Sequence, residues 1–167
     1  MKNNITSLTA IVLTFNEEMH LERCLKSLSK VCQEIVVVDS FSSDKTKEIA
    51  LKYKSRFYEN PFINHASQLN WAINNTNFKT DWVIRVDADE YIDEELQDEI
   101  IKKLPSLSEN TIGLRLKRMM CFFNKPLKKG GMYPIFHLKI WRNGTAICEQ
   151  RWMDERITLL KDGEIEI

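Results

Sequence analysis

Trp82-Val83-Ile84-Arg85-Val86-Asp87-Ala88-Asp89-Glu90 is the stretch on which the reading of this chain turns. Residues 82–86 are apolar apart from Arg85 and rich in β-branched side chains, the composition of a short buried strand. The strand runs straight into the acidic triplet Asp87-Ala88-Asp89. A D-x-D triplet arises often by chance, and acids also favour the first turn of a helix, here the helix expected over residues 93–104. Position decides between the readings. In an open parallel sheet, ligands bind beyond the carboxyl ends of the strands. Two carboxylates at that edge are hard oxygen donors for Mg²⁺ or Mn²⁺, which in turn bridge phosphate oxygens. Asp87 and Asp89 are therefore read as ligands of a metal–diphosphate group.

Working outward, the first half of the chain alternates strand and helix. Residues 8–14 form an apolar, β-branched run suited to a strand buried on both faces. Leu21, Cys24, Leu25 and Leu28 follow at i, i+3, i+4, i+7, the mark of an amphipathic helix. Ile35-Val36-Val37-Val38 lies in a second strand ending at Asp39. Ser42, Ser43 and Asp44 can cap a helix carrying Ile49, Ala50 and Tyr53. Residues 56–58 are a weaker third strand, and Leu69, Ala72 and Ile73 predict a helix over about residues 66–75. Alternating β and α units imply a mainly parallel sheet with helices on both faces. After residue 104 the pattern changes. Ile112, Leu114 and Leu116 alternate with Gly113, Arg115 and Lys117, and Phe136, Leu138 and Ile140 alternate with His137, Lys139 and Trp141. These are one-sided strands, so the second half is expected to be mixed or antiparallel β, with breaks at Pro105 and Gly130-Gly131. The expectation is one α/β domain, residues 1–167, in two functional halves (1–104 and 105–167).

The bulk properties narrow the function. The chain has 167 residues, 43% of them apolar, and its 24 acids and 24 bases cancel. A zero net charge argues against nucleic-acid binding, which needs a basic face. The balance hides an acidic stretch at residues 87–99 and a basic one at 115–129. Cys24, Cys32, Cys121 and Cys148 form no C-x-x-C pair, which leaves neither a zinc knuckle nor a thioredoxin-like motif. Cys24 falls on the apolar helix stripe and reads as a core residue. Reduced thiols suit a cytoplasmic protein. The apolar run near the N-terminus is too short for a membrane span and lacks a signal-peptide cleavage pattern.

Three of these strands end in polar residues at the ligand edge: Thr14-Phe15-Asn16-Glu17, Asp39-Ser40 and Asp87-Ala88-Asp89. Neither G-x-G-x-x-G nor G-x-x-x-x-G-K-[ST] is present, which disfavours a dinucleotide fold site and a P-loop. With the capping residues already supplied by Ser42, Ser43 and Asp44, Asp39 is left to accept a hydrogen bond from a nucleobase N–H or a ribose hydroxyl. Phe15 is expected to lie against a base.

Here the residues resemble a family. Ile11-Val12-Leu13-Thr14-Phe15-Asn16-Glu17-Glu18 resembles the opening nucleotide-binding segment of family 2 glycosyltransferases. Ile35-Val36-Val37-Val38-Asp39-Ser40 with Ser43-Asp44-Lys45-Thr46 resembles their second segment. Gln68, Asn70-Trp71-Ala72, Asp81-Trp82-Val83-Ile84 and Asp87-Ala88-Asp89-Glu90 resemble their third. The likeness is strongest to bacterial members that assemble lipopolysaccharide core or exopolysaccharide. It implies a GT-A fold, a nucleotide-diphosphate sugar donor (a UDP-sugar), Mg²⁺ or Mn²⁺, and inversion at the anomeric carbon. Leu13, Phe15, Glu17, Asp39 and Gln68 would then contact the donor, Asp87 the ribose or the metal, and Asp89 the metal. The resemblance also implies an acceptor-side general base. Within Trp152-Met153-Asp154-Glu155-Arg156, Asp154 is the first candidate and Glu155 the second, the alternative being a solvated pair bridged to Arg151 or Arg156.

The implied partners are the nucleotide sugar and a glycan or lipid-linked saccharide, with peripheral association at the inner face of the cytoplasmic membrane. The chain departs from the pattern at Leu69, where relatives often carry a basic residue. Relatives of this kind also continue beyond Ile167, which implies a missing C-terminal extension and keeps a non-catalytic, nucleotide-sugar-binding fragment as an alternative. A nucleotidyltransferase would need a Gly-rich, basic loop after the first strand, and residues 14–18 provide none.

Overall fold

The strand at the centre of the computed structural model, β1 (Thr6–Thr14), is buried along almost its whole length; the structure describes residues 6–123, 125–129, 133–151 and 155–167. Its side chains split by the two-residue period of a strand. Leu8, Ala10 and Val12 enter one core and Ile11 enters the other. Both faces are covered, which is why the run reads as continuously apolar.

Chain order from β1 is α1 (Leu21–Leu28), β2 (Cys32–Asp39), α2 (Thr46–Lys52), β3 (Arg56–Glu59), α3 (His65–Asn75), β4 (Trp82–Asp87) and α4 (Glu94–Lys103). A 3₁₀ turn (Leu104–Ser106) follows, then β5 (Thr111–Arg118), β6 (Cys121–Phe122), β7 (Lys125–Pro126), β8 (Ile135–Arg142), β9 (Ala146–Cys148), β10 (Ile157–Leu159) and β11 (Glu164–Glu166). The main sheet has the order β11-β5-β8-β4-β1-β2-β3. β3, β2, β1 and β4 are mutually parallel. β8 pairs antiparallel with both β4 and β5, so the mixed half expected after residue 104 joins the parallel half in one sheet.

Helix α1 buries Leu21, Cys24, Leu25 and Leu28 completely, matching the apolar stripe. Each such leucine contributes roughly 1.5–3 kcal/mol by leaving water. Burial, together with the nearby charges of Glu90, Asp87 and Asp89, pushes the Cys24 thiol up to about 12, consistent with an inert core thiol. Helix α3 is capped by Asn64, whose side chain accepts from the Ser67 N–H, and α4 by Asp93, which accepts from the Leu96 N–H at 2.9 Å. Leu104, assigned from sequence to α4, starts the 3₁₀ turn instead, because Pro105 cannot donate to the α ladder.

Two details of the second half depart from the one-sided pattern. Thr111, Ile112, Gly113 and Leu114 are all buried, and the outward alternation begins only at Arg115. Trp141, expected to face solvent, is 1% exposed. The cause is the β9–β10 hairpin, which lies over this face: a Cβ at Gly113 would come 2.8 Å from Leu138 and 3.4 Å from Leu159. Trp141 packs in one core with Val83, Leu69, Ala146 and Cys148. No helix among the described residues is long and apolar enough to cross a membrane. The Gly130-Gly131 break lies outside the described residues.

Candidate active site

Strand register brings the polar strand ends into line. Thr14 on β1 pairs with Asp39 on β2, Asp39 with Glu59 on β3, and Leu13 with Asp87 on β4. The three segments singled out in the sequence therefore share one edge of the sheet.

The loops after β1 and β2 are laced together there. The Asn16 N–H donates to Ser42 Oγ at 2.7 Å, the Glu17 N–H to Thr46 Oγ1 at 2.8 Å and the Glu18 N–H to Asp44 Oδ2 at 3.0 Å. In return, the Ser43 N–H donates to Asn16 Oδ1 and the Lys45 N–H to a Glu18 carboxylate oxygen. Asn16 and Phe41 adopt φ of 54° and 61°. The left-handed region is common for Asn but unfavourable for a bulky aromatic, and such residues concentrate at functional sites. Phe41, 57% exposed beside Asp39, is a candidate base contact that the sequence did not flag. Phe15 is likewise exposed.

Asp39 is not spare. It is 1% exposed, and its carboxylate accepts from Thr14 Oγ1 at 2.8 Å, Ser42 Oγ at 2.6 Å and the Ser42 N–H at 2.7 Å. Of the three residues assigned to capping, only Asp44 accepts from the start of α2, at the Thr46 N–H; Ser42 and Ser43 bond across to Asn16 and, for Ser42, to Asp39. Removing the carboxylate leaves buried donors without acceptors. Asp39→Ala is accordingly expected to lower unfolding free energy by about 2–4 kcal/mol, measured by urea denaturation. Asp39→Asn, which can still accept at Oδ1, should cost less than half as much.

Leu13, Thr14, Phe15, Glu17, Ser40, Phe62, His65 and Gln68 line an open cleft of about 120 Å³. Glu17 also lies 3.1 Å from His20 Nδ1. Gln68 is 1% exposed and its amide is occupied: Nε2 donates to Ser40 Oγ and the Asn60 carbonyl, and Oε1 accepts from Asn60 Nδ2 at 2.6 Å. It forms a wall of the cleft and fixes Ser40 in place. Leu69 is fully buried behind it, so the expected basic position faces the core.

The acidic triplet sits beside this cleft, and α4 begins only after its own cap at Asp93. The triplet is thus not the first turn of that helix. Asp87 is held by Arg85, 3.1 Å away, and Lys139, 3.5 Å away. Burial alone would raise its pKa, but Lys139 and Arg85 outweigh it and hold the carboxyl below the usual range. Glu90, which the sequence reading left without a role, closes the turn. It accepts from the Asp87 N–H at 3.1 Å, receives Lys139 Nζ at 2.6 Å and lies 3.7 Å from Arg118 Nε. Asp89 is exposed; Arg23 donates to its carbonyl oxygen at 3.0 Å, while its carboxylate has no protein partner among the described residues.

No cluster of three metal-ligating side chains occurs among the described residues. That is compatible with Mg²⁺ or Mn²⁺ held by one or two carboxylates and completed by substrate phosphates. Asp89, with a free carboxylate, and Asp87 fit such an arrangement.

Of the two candidate bases, Asp154 lies outside the described residues. Glu155 is half-buried in the loop between β9 and β10. Arg151 Nε lies 2.5 Å from a Glu149 carboxylate oxygen. This hairpin is clamped to α3: Asn70 Nδ2 donates to the Cys148 carbonyl and the Cys148 N–H returns to Asn70 Oδ1, both at 2.8 Å. Burial raises the Cys148 thiol, with Arg85 opposing and Glu155 and Glu149 adding to the rise.

Comparison with known proteins agrees with this geometry. The family described as "Glycosyl transferase family 2" matches residues 9–160. The chain is 38% identical over 93 residues, 56% of its length, to an uncharacterized glycosyltransferase of Rickettsia bellii. It is 34% identical over 116 residues, 66% of its length, to the lipopolysaccharide core biosynthesis glycosyltransferase LpsC of Rhizobium meliloti. It spans only 31% and 42% of those two relatives. Among solved structures, S. aureus TarS 1-349 in complex with UDP-GlcNAc superposes with a TM-score of 0.58 at 22% identity, over 81% of this chain and 45% of that one. The mannosyltransferase PcManGT of Pyrobaculum calidifontis, in complex with GDP-Man and Mn²⁺, gives 0.55 at 23% identity, over 67% and 36%.

Proposed function

Because this chain belongs to glycosyl transferase family 2 and has the GT-A fold, we propose that it moves a sugar from a UDP-linked donor to a glycan or lipid-linked saccharide of the bacterial cell envelope, with inversion. The carrying observation is the strand register that lines up Thr14, Asp39 and Glu59, with Asp87 beside Leu13, on one edge. The lipopolysaccharide-core role in the name of LpsC supports the acceptor class. The UDP-GlcNAc complex of TarS supports the donor class.

In this reading residues 1–104 hold the donor and residues 105–167 face the acceptor. Leu13, Phe15 and Glu17 border the nucleoside. Asp39 and Gln68 hold the loops that carry Ser40 and Phe41 against it. Asp89 and Asp87 would hold Mg²⁺ or Mn²⁺, which as a Lewis acid neutralises charge on the departing diphosphate. Asp154, or Glu155 beside it, takes the proton from the acceptor hydroxyl. The resulting oxygen attacks the anomeric carbon in line with the leaving diphosphate, through an oxocarbenium-like transition state. Donor and lipid-linked acceptor meet at the inner face of the cytoplasmic membrane, where this reading puts the chain.

The test is a melting-temperature series with UDP, UDP-GlcNAc and GDP, each with and without Mn²⁺. A ligand at 100 times its Kd should stabilise the native state by about 2.7 kcal/mol, a shift of several degrees. The expected shift requires Mn²⁺. No shift at millimolar nucleotide and metal would sink the donor assignment, and an equal response to GDP would remove the uridine preference.

A further inference from the structure

We infer that Lys139 is the resident counter-ion of the acidic site, standing against Asp87 and Glu90 until a nucleotide diphosphate arrives, so that metal and donor bind as a unit. This rests on the donor reading above.

Lys139 comes from β8, one residue before Ile140, which pairs with Ile84 on β4. That antiparallel crossing brings a base from the second half of the chain to the acids that end β4. Its side chain is 15% exposed, with Nζ 2.6 Å from Glu90 and 3.5 Å from Asp87. Arg85 and Arg118 approach the same two acids. Two carboxylates therefore face three cations, and Asp89 supplies the remaining negative charge. With Arg23 donating to the Asp89 carbonyl oxygen, four cations stand against the three acids, and without a donor the site carries no excess of negative charge.

A lone divalent cation entering beside Asp87 would meet an ammonium group a few ångströms away, where partial burial weakens screening. A diphosphate changes the balance. Its oxygens complete the metal's shell and offer Lys139 a new partner, so the ammonium can leave Asp87 while Glu90 still accepts the Asp87 N–H and keeps the turn in place. The metal then gains Asp87 only in the company of the nucleotide, and the coupling is reciprocal.

Mn²⁺ titrations followed by electron paramagnetic resonance, with and without UDP, test this on the wild-type chain, Lys139→Gln and Lys139→Arg. The wild type should bind Mn²⁺ alone at least about tenfold more weakly than with saturating UDP, the size of effect a like charge at this range produces. Lys139→Gln should bind Mn²⁺ alone about tenfold more tightly than wild type and lose most of the coupling, whereas Lys139→Arg, which keeps the charge, should follow wild type. Equal affinity of Lys139→Gln and wild type for free Mn²⁺ overturns the inference. So does a wild type that binds Mn²⁺ equally well with and without UDP, a result independent of how the variants fold. If UDP binds with Mn²⁺ but Lys139→Gln changes nothing, only this inference fails; if UDP does not bind at all, the donor reading fails and takes the inference with it.

Discussion

Asp89→Asn is expected to weaken Mn²⁺-dependent UDP binding by about 100-fold, equivalent to two factors of 1.4 kcal/mol, while leaving the melting temperature of the free protein unchanged. The two halves of this expectation come from the same geometry. Asp89 is exposed and its carboxylate has no protein partner among the described residues, so folding gains little from it, as for most surface positions. It is also the acid of the triplet best placed to supply a charged oxygen to the metal without first breaking an ion pair. Asparagine keeps the shape but offers only a neutral carbonyl oxygen, a much poorer ligand for a hard divalent cation. Calorimetric titration of UDP at fixed Mn²⁺ reads the effect directly. Unchanged affinity with Mn²⁺ present would remove Asp89 from the metal site. Asp87→Asn is a less clean probe. It would also strip the largely buried Arg85 of its ion-pair partner and leave Lys139 with Glu90 alone.

What the sequence made legible follows the range of the interactions involved. The 8–14 run, the 21–28 stripe and the 35–38 run carry their own periodicity, and each became the element it predicted. The same holds for the shared edge, because parallel βα units force every strand to end on the same side. Trp141 was misread because its burial depends on a hairpin arriving from residues 146–159, which no local alternation encodes. The hydrogen bonds that bury Asp39 were not legible for a related reason. Its neighbours looked sufficient as caps, yet Ser42 was claimed by Asn16 from the preceding loop and by Asp39 itself. Glu90 escaped notice altogether, since its partners Lys139 and Arg118 come from β8, which pairs with β4, and from β5 beyond it, a strand order that was not foreseen. The net charge of zero concealed this pairing of the acidic 87–99 and basic 115–129 stretches. Only in the fold do Glu90 and Arg118, one from each stretch, stand opposite each other.

Asp154→Asn is expected to abolish sugar transfer, with a loss of at least about 100-fold from the missing general base, and to leave UDP–Mn²⁺ affinity nearly unchanged. Asparagine is close in shape but cannot take a proton at neutral pH. The contrast with Asp89→Asn is the point of the experiment. One variant should fail in chemistry with the donor bound, the other in binding the donor at all. Glu155→Gln resolves the neighbours. Glu155 is half-buried in a hairpin fastened to α3 through Asn70 and Cys148, so a base in this segment would be held by the same helix that walls the donor cleft. If Glu155→Gln loses transfer while Asp154→Asn keeps it, the base is Glu155. If both retain activity, the segment serves the fold, and the base must be sought among other acids on the acceptor side. The chain spans less than half of its curated relatives, so the comparison belongs in the longest form that transfers sugar to a saccharide acceptor. Asn70→Ala in that form is the positional control. By freeing the hairpin from α3 it should reduce transfer and leave UDP binding intact, because a misplaced base slows proton removal without touching the nucleotide.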